Sequence, residues 1–315
     1  MSELFLGIDT SNYTTSSALF DGERVLENRK MLLPVKQGEK GLRQSDAVFH
    51  HGRQLPQVLG PLLEGLEDLP KAIGVSLTPT TEEGSYMPCF LVGKNTAGLL
   101  GQAWKVPVEG FSHQQGHIAA ALYSAGKLEL LEERFLAFHV SGGTTEALLV
   151  TPGEKGVPQV KLVAHSLDLK AGQAVDRVGV MLGLGFPCGP ELERLALKWD
   201  EKIQYRPVLK GNDCSLSGIE NQCKALLERG EPVEKIARYC IEAIYAVLDK
   251  MCGGLLEELG DLPVVFSGGV CSNSLLRRRL GERYHGYFAA PEFSSDNAAG
   301  VAVLAAFAEQ KGGMA

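Results

Sequence analysis

Hydrophobic and polar positions along the chain fall into a small number of repeated patterns. Residues 4–20 (LFLGIDTSNYTTSSALF) and 135–150 (FLAFHVSGGTTEALLV) each predict a strand, a tight polar or Gly-rich turn and a returning strand. In residues 262–280 (LPVVFSGGVCSNSLLRRRL) an apolar strand stops at Gly268-Gly269 and a helix follows, with Ser272 or Asn273 placed to cap it. A short strand is expected over 72–77. Helical periodicity predicts helices over 48–66 (interrupted by Pro56 and Pro61), 92–104, 112–125, 171–184, 233–259 and 297–310. Two similar turn-centred hairpins, each followed by mixed helices and strands, suggest a duplicated α/β architecture with a cleft between two lobes.

Composition narrows the class. Of 315 residues, 44% are hydrophobic and 22% charged, which suits a globular chain large enough for two cores. No apolar run approaches the ~20 residues of a membrane helix. The opening MSELFLGID lacks the pattern of a signal peptide. Seven cysteines without a C-x-x-C pair read as reduced thiols in a cytoplasmic protein. A net charge of −7 argues against a broad basic nucleic-acid face but leaves room for a local basic groove.

The turn SGGTT at 141–145 offers successive backbone N–H groups unobstructed by side chains, a geometry that cradles phosphate. The hydroxyls of Ser141, Thr144 and Thr145 are candidate additional donors. The plain alternative is an ordinary β-turn. Asp176, on a predicted helix, is placed to accept hydrogen bonds from ribose hydroxyls; the alternative is a solvated acid or an ion pair with Arg177. His113 and His117 stand four apart, one turn apart on one helix face, a spacing that lets two imidazoles bind one ion. Gln114, Gln115 and Gly116 stand between them, so the glutamate base of an H-E-x-x-H peptidase is missing. Asp296, in a helix-capping position, is a third candidate; two histidines and a carboxylate suit iron or zinc. The alternative is two structural histidines. His50 and His51, adjacent and therefore divergent on a helix, read as structural. Arg277, Arg278 and Arg279 read as a solvated face, with an RNA backbone contact as the alternative.

These segments, in this order, resemble the tRNA N6-adenosine threonylcarbamoyltransferase family, also called the universal glycoprotease or O-sialoglycoprotein endopeptidase-like family. The resemblance covers nearly the whole chain. GIDTS resembles the family's opening strand, SHQQGHIAAAL its H-x-x-x-H helix and HVSGGTTEALL its V-S-G-G hairpin. AGQAVDRVGVMLGLGFPCGP, SGGVCSNSLLR and PEFSSDNAAGVA resemble three later elements. The resemblance implies an actin-like fold of the sugar kinase and heat-shock ATPase superfamily, with lobes at 1–107 plus 297–315 and at 108–296. It implies one divalent metal, iron or zinc, on His113, His117 and Asp296; His139, where some relatives place a metal-touching tyrosine, is this chain's own candidate for a further ligand. It implies ATP, AMP or a carbamoyl-adenylate bound by His139, Val140, Ser141, Gly142, Gly143, Asp176, Gly189 and Asn273. The implied reaction is transfer of threonylcarbamoyl to N6 of adenosine in tRNA. The implied partners are tRNA, a paralogous dimerisation subunit and a P-loop ATPase, with no membrane.

The chain also departs from the family pattern. Asn12, Tyr13, Thr14 and Thr15 replace the family's C-D-E-T. A longer loop carrying Glu82 and Glu83 replaces G-P-G-L, Thr144-Thr145 replaces H-T or N-T, and Glu220 replaces the lysine of S-G-L-K. These departures suggest a diverged paralogue with altered acceptor-side residues. A carbamoyltransferase acting on a small molecule and a non-catalytic nucleotide-binding subunit therefore remain the alternatives.

Overall fold

The computed structural model describes residues 3–11, 13–34, 42–294 and 298–312. The chain runs β1 (Phe5–Asp9), β2 (Thr14–Phe20), β3 (Val25–Leu32), α1 (Gln44–Glu64), β4 (Ala72–Thr78), α2 (Phe90–Trp104), β5 (Val108–Ser112) and α3 (His113–Ser124). There follow β6 (Phe135–Val140), β7 (Thr145–Thr151), β8 (Gln159–His165), α4 (Ala171–Met181), α5 (Gly189–Ala196), β9 (Leu209–Lys210) and β10 (Asp213–Cys214). The last elements are α6 (Ser217–Glu228), α7 (Val233–Leu259), β11 (Val264–Ser267), α8 (Ser274–Tyr284), β12 (Tyr287–Phe288) and α9 (Ala299–Gly312). They group into two compact units, one from 1–133, 151–160 and 292–315, the other from 134–150 and 161–291. The segment 108–133, carrying α3, packs in the first unit.

Each unit holds a five-stranded sheet, and the two sheets repeat one plan. In the first, with order β3-β2-β1-β4-β5, β1 pairs antiparallel with β2 and parallel with β4. In the second, with order β12-β11-β6-β7-β8, β6 pairs antiparallel with β7 and parallel with β11. Both are thus an up-and-down meander extended on its first strand by two later parallel strands. The alternation that predicted the two hairpins is realised in register: Phe5 opposes Phe20, and Val140 opposes Thr145.

α9 lies on the first sheet at backbone-contact distance. A Cβ on Gly7 would stand 2.2 Å from the Ala298 carbonyl oxygen, and one on Gly74 would stand 2.0 Å from that of Val301. A Cβ on Gly300 would meet the Gly116 oxygen of α3 at 1.8 Å. Only glycine fits at these crossings, which explains the small-residue character of the closing helix. On the opposite side, Leu55, Val58, Leu59 and Leu62 of α1 pack with Leu6, Ile8 and Ile73.

α1 is one continuous helix from 44 to 64, although Pro56 and Pro61 were expected to interrupt it. Both prolines are exposed, opposite the buried Leu55–Leu62 stripe, so water can satisfy the carbonyls that lose a helical partner. The second core is built from bulky residues of α7, including Ile236, Ile244, Val247 and Met251, with Phe138 and Phe266 of the sheet. All seven cysteines are buried. Among the described residues, no helix is long and apolar enough to cross a membrane.

Candidate functional site

In the first unit, the turn after β1 meets the start of α3. α3 begins with a capping box: Ser112 Oγ accepts from the Gln115 N–H, and the Gln115 side chain accepts from the Ser112 N–H. This fixes His113 as the first helical residue. The His113 and His117 rings lie 4.3 Å apart centre to centre. The i, i+4 spacing therefore does bring both imidazoles together, as expected.

Asp9 is the residue the sequence reading missed. It is 1% exposed and ends β1; one carboxylate oxygen accepts from the Ser11 N–H at 2.8 Å, and the other lies 2.9 Å from His113 Nδ1. The two residues are 104 positions apart, so no local spacing could reveal the contact. Ser11 Oγ stands 3.5 Å from His113 Nε2, and the Phe90 ring flanks the same imidazole. Thr10 anchors the turn to α2 by donating to the Cys89 carbonyl and accepting from the Gly93 N–H.

Among the described residues no group of three His, Cys, Asp or Glu side chains forms a metal centre. Asp296, the third candidate ligand, lies outside the described residues, as does Asn12. The donor chemistry that is present fits a divalent ion: two imidazoles on one helix face, one of them held by a buried carboxylate. His51 is fully buried, and its Nδ1 lies 2.8 Å from the Thr15 hydroxyl, a contact between α1 and β2 that makes it structural.

In the second unit, the β6–β7 turn is tied internally. The Gly143 and Thr144 N–H groups donate to Ser141 Oγ at 3.3 and 3.1 Å, so the serine oxygen fills the position an anion would take. The Thr145 hydroxyl, expected to add a donor toward phosphate, is buried. It accepts from the Ala171 N–H and donates to the Thr144 carbonyl. Its function is to dock the N-terminus of α4 on the hairpin. The Gly172 N–H donates to the Ser141 carbonyl in the same contact. A Cβ on Gly172 would fall 2.6 Å from Gly142, so glycine is required there. Ser267 Oγ donates to the Phe138 carbonyl, so the hydrogen bond of 3.1 Å between Ser267 Oγ and His139 Nδ1 has the imidazole as donor.

A cavity of about 340 Å³ opens beside this hairpin. It joins Gly142, Asp176, Gly189 and Asn273, four of the expected nucleotide residues, from four separate segments. His139, Val140, Ser141 and Gly143 do not line it. Gly172, Glu193 and Gly269 line it and were not anticipated. Asp176 accepts from the Cys188 N–H at 2.9 Å, which pins the glycine-rich turn between α4 and α5. Burial, and then the neighbouring Asp176 and Glu191 carboxylates, push the Cys188 thiol above its usual range. Asp176 does not pair with Arg177; that guanidinium instead meets Glu220 at 3.0 Å. Asn273, not Ser272, caps α8, its side chain accepting from the Leu275 and Leu276 N–H groups. Glu193 accepts from the Ser274 N–H at 2.9 Å.

Of the basic run 277–279, Arg278 is exposed, whereas its two neighbours are engaged. Arg277 donates to the Ala289 carbonyl and lies over Phe288, and Arg279 pairs with the buried Glu242 and lies over Tyr245.

A sequence profile for tRNA N6-adenosine threonylcarbamoyltransferase matches residues 45–303. The chain belongs to the tRNA N6-adenosine threonylcarbamoyltransferase family. It is a family of transferases. A member from Herminiimonas arsenicoxydans is 32% identical over 96% of this chain and 91% of its own length. One from Methanopyrus kandleri is 28% identical, with 90% and 80% covered. Among solved structures, full-length HypF in its phosphate- and nucleotide-bound form superposes with a TM-score of 0.60 at 13% identity, covering 98% of this chain and 55% of HypF. The activator of 2-hydroxyisocaproyl-CoA dehydratase from Clostridium difficile, with bound ADPNP, gives 0.54 at 12% identity, covering 99% and 98%. The fold is therefore the actin-like one of these proteins, as the sequence resemblance implied.

Proposed function

We propose that this chain catalyses the family reaction, moving threonylcarbamoyl from its adenylate to N6 of adenosine in tRNA. The observation that carries the reading is the cavity uniting Gly142, Asp176, Gly189 and Asn273 in a chain of this family. The nucleotide part of the adenylate occupies that cavity. Asp176 accepts from the ribose hydroxyls, and the Asn273 amide, whose oxygen is committed to the helix cap, offers its N–H groups. The phosphate extends beyond the cavity onto the adjoining hairpin, where it displaces Ser141 Oγ from the Gly143 and Thr144 amides and takes up their two donors. His113, His117 and Asp296 hold an iron or zinc ion, which supplies Lewis acidity toward a carbonyl or phosphate oxygen when bound. tRNA, a paralogous dimerisation subunit and a P-loop ATPase are the expected partners. The seven buried thiols agree with a cytoplasmic protein.

The test is reconstitution with threonine, bicarbonate, ATP, unmodified tRNA and the family's accessory proteins, followed by nucleoside mass spectrometry. Threonylcarbamoyladenosine that disappears in His113→Ala supports the reading. No product beside a working family member overturns it.

One observation favours a second reading, carbamoyl transfer to a small acceptor. The Glu220–Arg177 ion pair neutralises a cation beside Asp176, which weakens any attraction of this face for an RNA backbone.

A further inference from the structure

His113 can bind an ion through Nε2 only if its proton sits on Nδ1. A neutral imidazole has one protonated and one lone-pair nitrogen, and the partner of one decides the state of the other. Asp9 Oδ2 lies 2.9 Å from His113 Nδ1 inside the first unit. A carboxylate there is an acceptor only, so Nδ1 must be the donor and Nε2 carries the lone pair. The carboxylate is itself held. It is 1% exposed, and its other oxygen accepts from the Ser11 N–H at 2.8 Å, so it cannot swing to another partner without leaving a buried amide unsatisfied.

We propose that Asp9 is the positioning residue that makes His113 a metal ligand. It fixes the tautomer and ring orientation. The inference rests on the metal reading of the His113–His117 pair. It assigns Asp9 no contact with the ion.

The decisive variant is Asp9→Asn. An asparagine keeps the size, and its carbonyl oxygen can still accept from the Ser11 N–H. Its amide nitrogen then faces Nδ1 as a donor, which drives the histidine proton to Nε2 and blocks ligation there. The probe is Zn²⁺ alone, titrated against a chromophoric chelator on purified, untagged apoprotein. The wild type should bind Zn²⁺, and Asp9→Asn should bind it about 10–100-fold more weakly. The variant should keep its melting temperature, and Co²⁺ substitution should change the ligand-field spectrum. Should Asp9→Asn fail to fold, long-range ¹H–¹⁵N spectra of the wild-type apoprotein, with His113 assigned through His113→Gln, report the tautomer directly. A proton on Nδ1 supports the proposal; a proton on Nε2 overturns it. Equal Zn²⁺ affinity in wild type and Asp9→Asn overturns this proposal and leaves the metal reading standing. A wild type that binds no Zn²⁺ overturns both.

Discussion

The two sheets share one strand plan, but α9 covers one face of the first in a manner that the α7 layer of the second does not repeat. The first receives α9 through Gly7 and Gly74, with backbone against backbone and almost no side chain between. The second is backed by α7 through Ile, Leu, Val and Met side chains in a thick aliphatic layer. Duplication of topology therefore did not carry duplication of packing. A glycine crossing tolerates no added atom, whereas an aliphatic layer tolerates no removed one. Their polar ends differ in the same sense. The first unit places Asp9 and His113 in a closed, buried contact, and the second leaves an open cavity beside its hairpin.

The sharpest way to break this comparison is to add one methyl group to the first unit. Gly300→Ala places a carbon 1.8 Å from the Gly116 oxygen and should cost about 3 kcal/mol or more, read by urea unfolding. An unaltered transition midpoint would mean that α3 and α9 separate freely and that the close crossing is not required.

The open end of the second unit is tested by ligand. Asp176→Ala should weaken binding of ATP or an AMP analogue by about 1.5–3 kcal/mol in calorimetry. Equal affinity in the variant would remove Asp176 from the nucleotide site.

A smaller effect separates closed from open by pH. Burial alone would raise the Asp168 carboxyl, but hydrogen bonds from the Ser217 hydroxyl and the Leu216 and Leu169 amides outweigh it and hold it below the usual range. Its stabilising contribution is therefore complete above the unfolded carboxylate pKa of about 4 and is lost as pH falls through the lower folded value. Asp168 is exposed, so solvent screening keeps the contribution to about 1 kcal/mol or less. Asp168→Asn should flatten the stability profile below about pH 4 and lower stability slightly at neutral pH. A profile parallel to wild type would refute the assignment.

The smallest expected change has the opposite sign. A Cβ on Gly218, in the first turn of α6, meets nothing within 4 Å. Gly218→Ala should stabilise by about 0.5 kcal/mol, in contrast with Gly300→Ala, because here the gain in helix propensity meets no neighbour.

Local pattern made much of this molecule legible. The hairpins, the 112–125 helix and the Gly268 stop follow from alternation, helical period and glycine chemistry, and each is in place. α5 was unreadable because it is only eight residues long, Gly189 and Pro190 included. The Pro56 and Pro61 breaks failed because the orphaned carbonyls face water and the packing of the Leu55–Leu62 stripe on the sheet outweighs the remaining cost of each proline. At the sites, His113 and His117 were visible through their spacing within one helix. Asp9, Gly172 and Glu193 were not, because only tertiary folding sets them against His113, the hairpin and α8.

The position of α9 in the chain has a consequence for synthesis. The first unit takes its covering helix from residues 299–312, after every residue of the second unit. As the chain leaves the ribosome, residues 161–291 emerge before α9 does, so the second unit can close while the glycine-lined face of the first sheet is still uncovered. The common expectation that N-terminal regions fold first is thereby inverted. The nascent first unit carries its Gly7 and Gly74 face as a solvent-accessible liability until the last helix arrives, while α1 already covers Leu6, Ile8 and Ile73 on the other face, and a ribosome stalled short of residue 299 would hold a finished second unit beside an unfinished first.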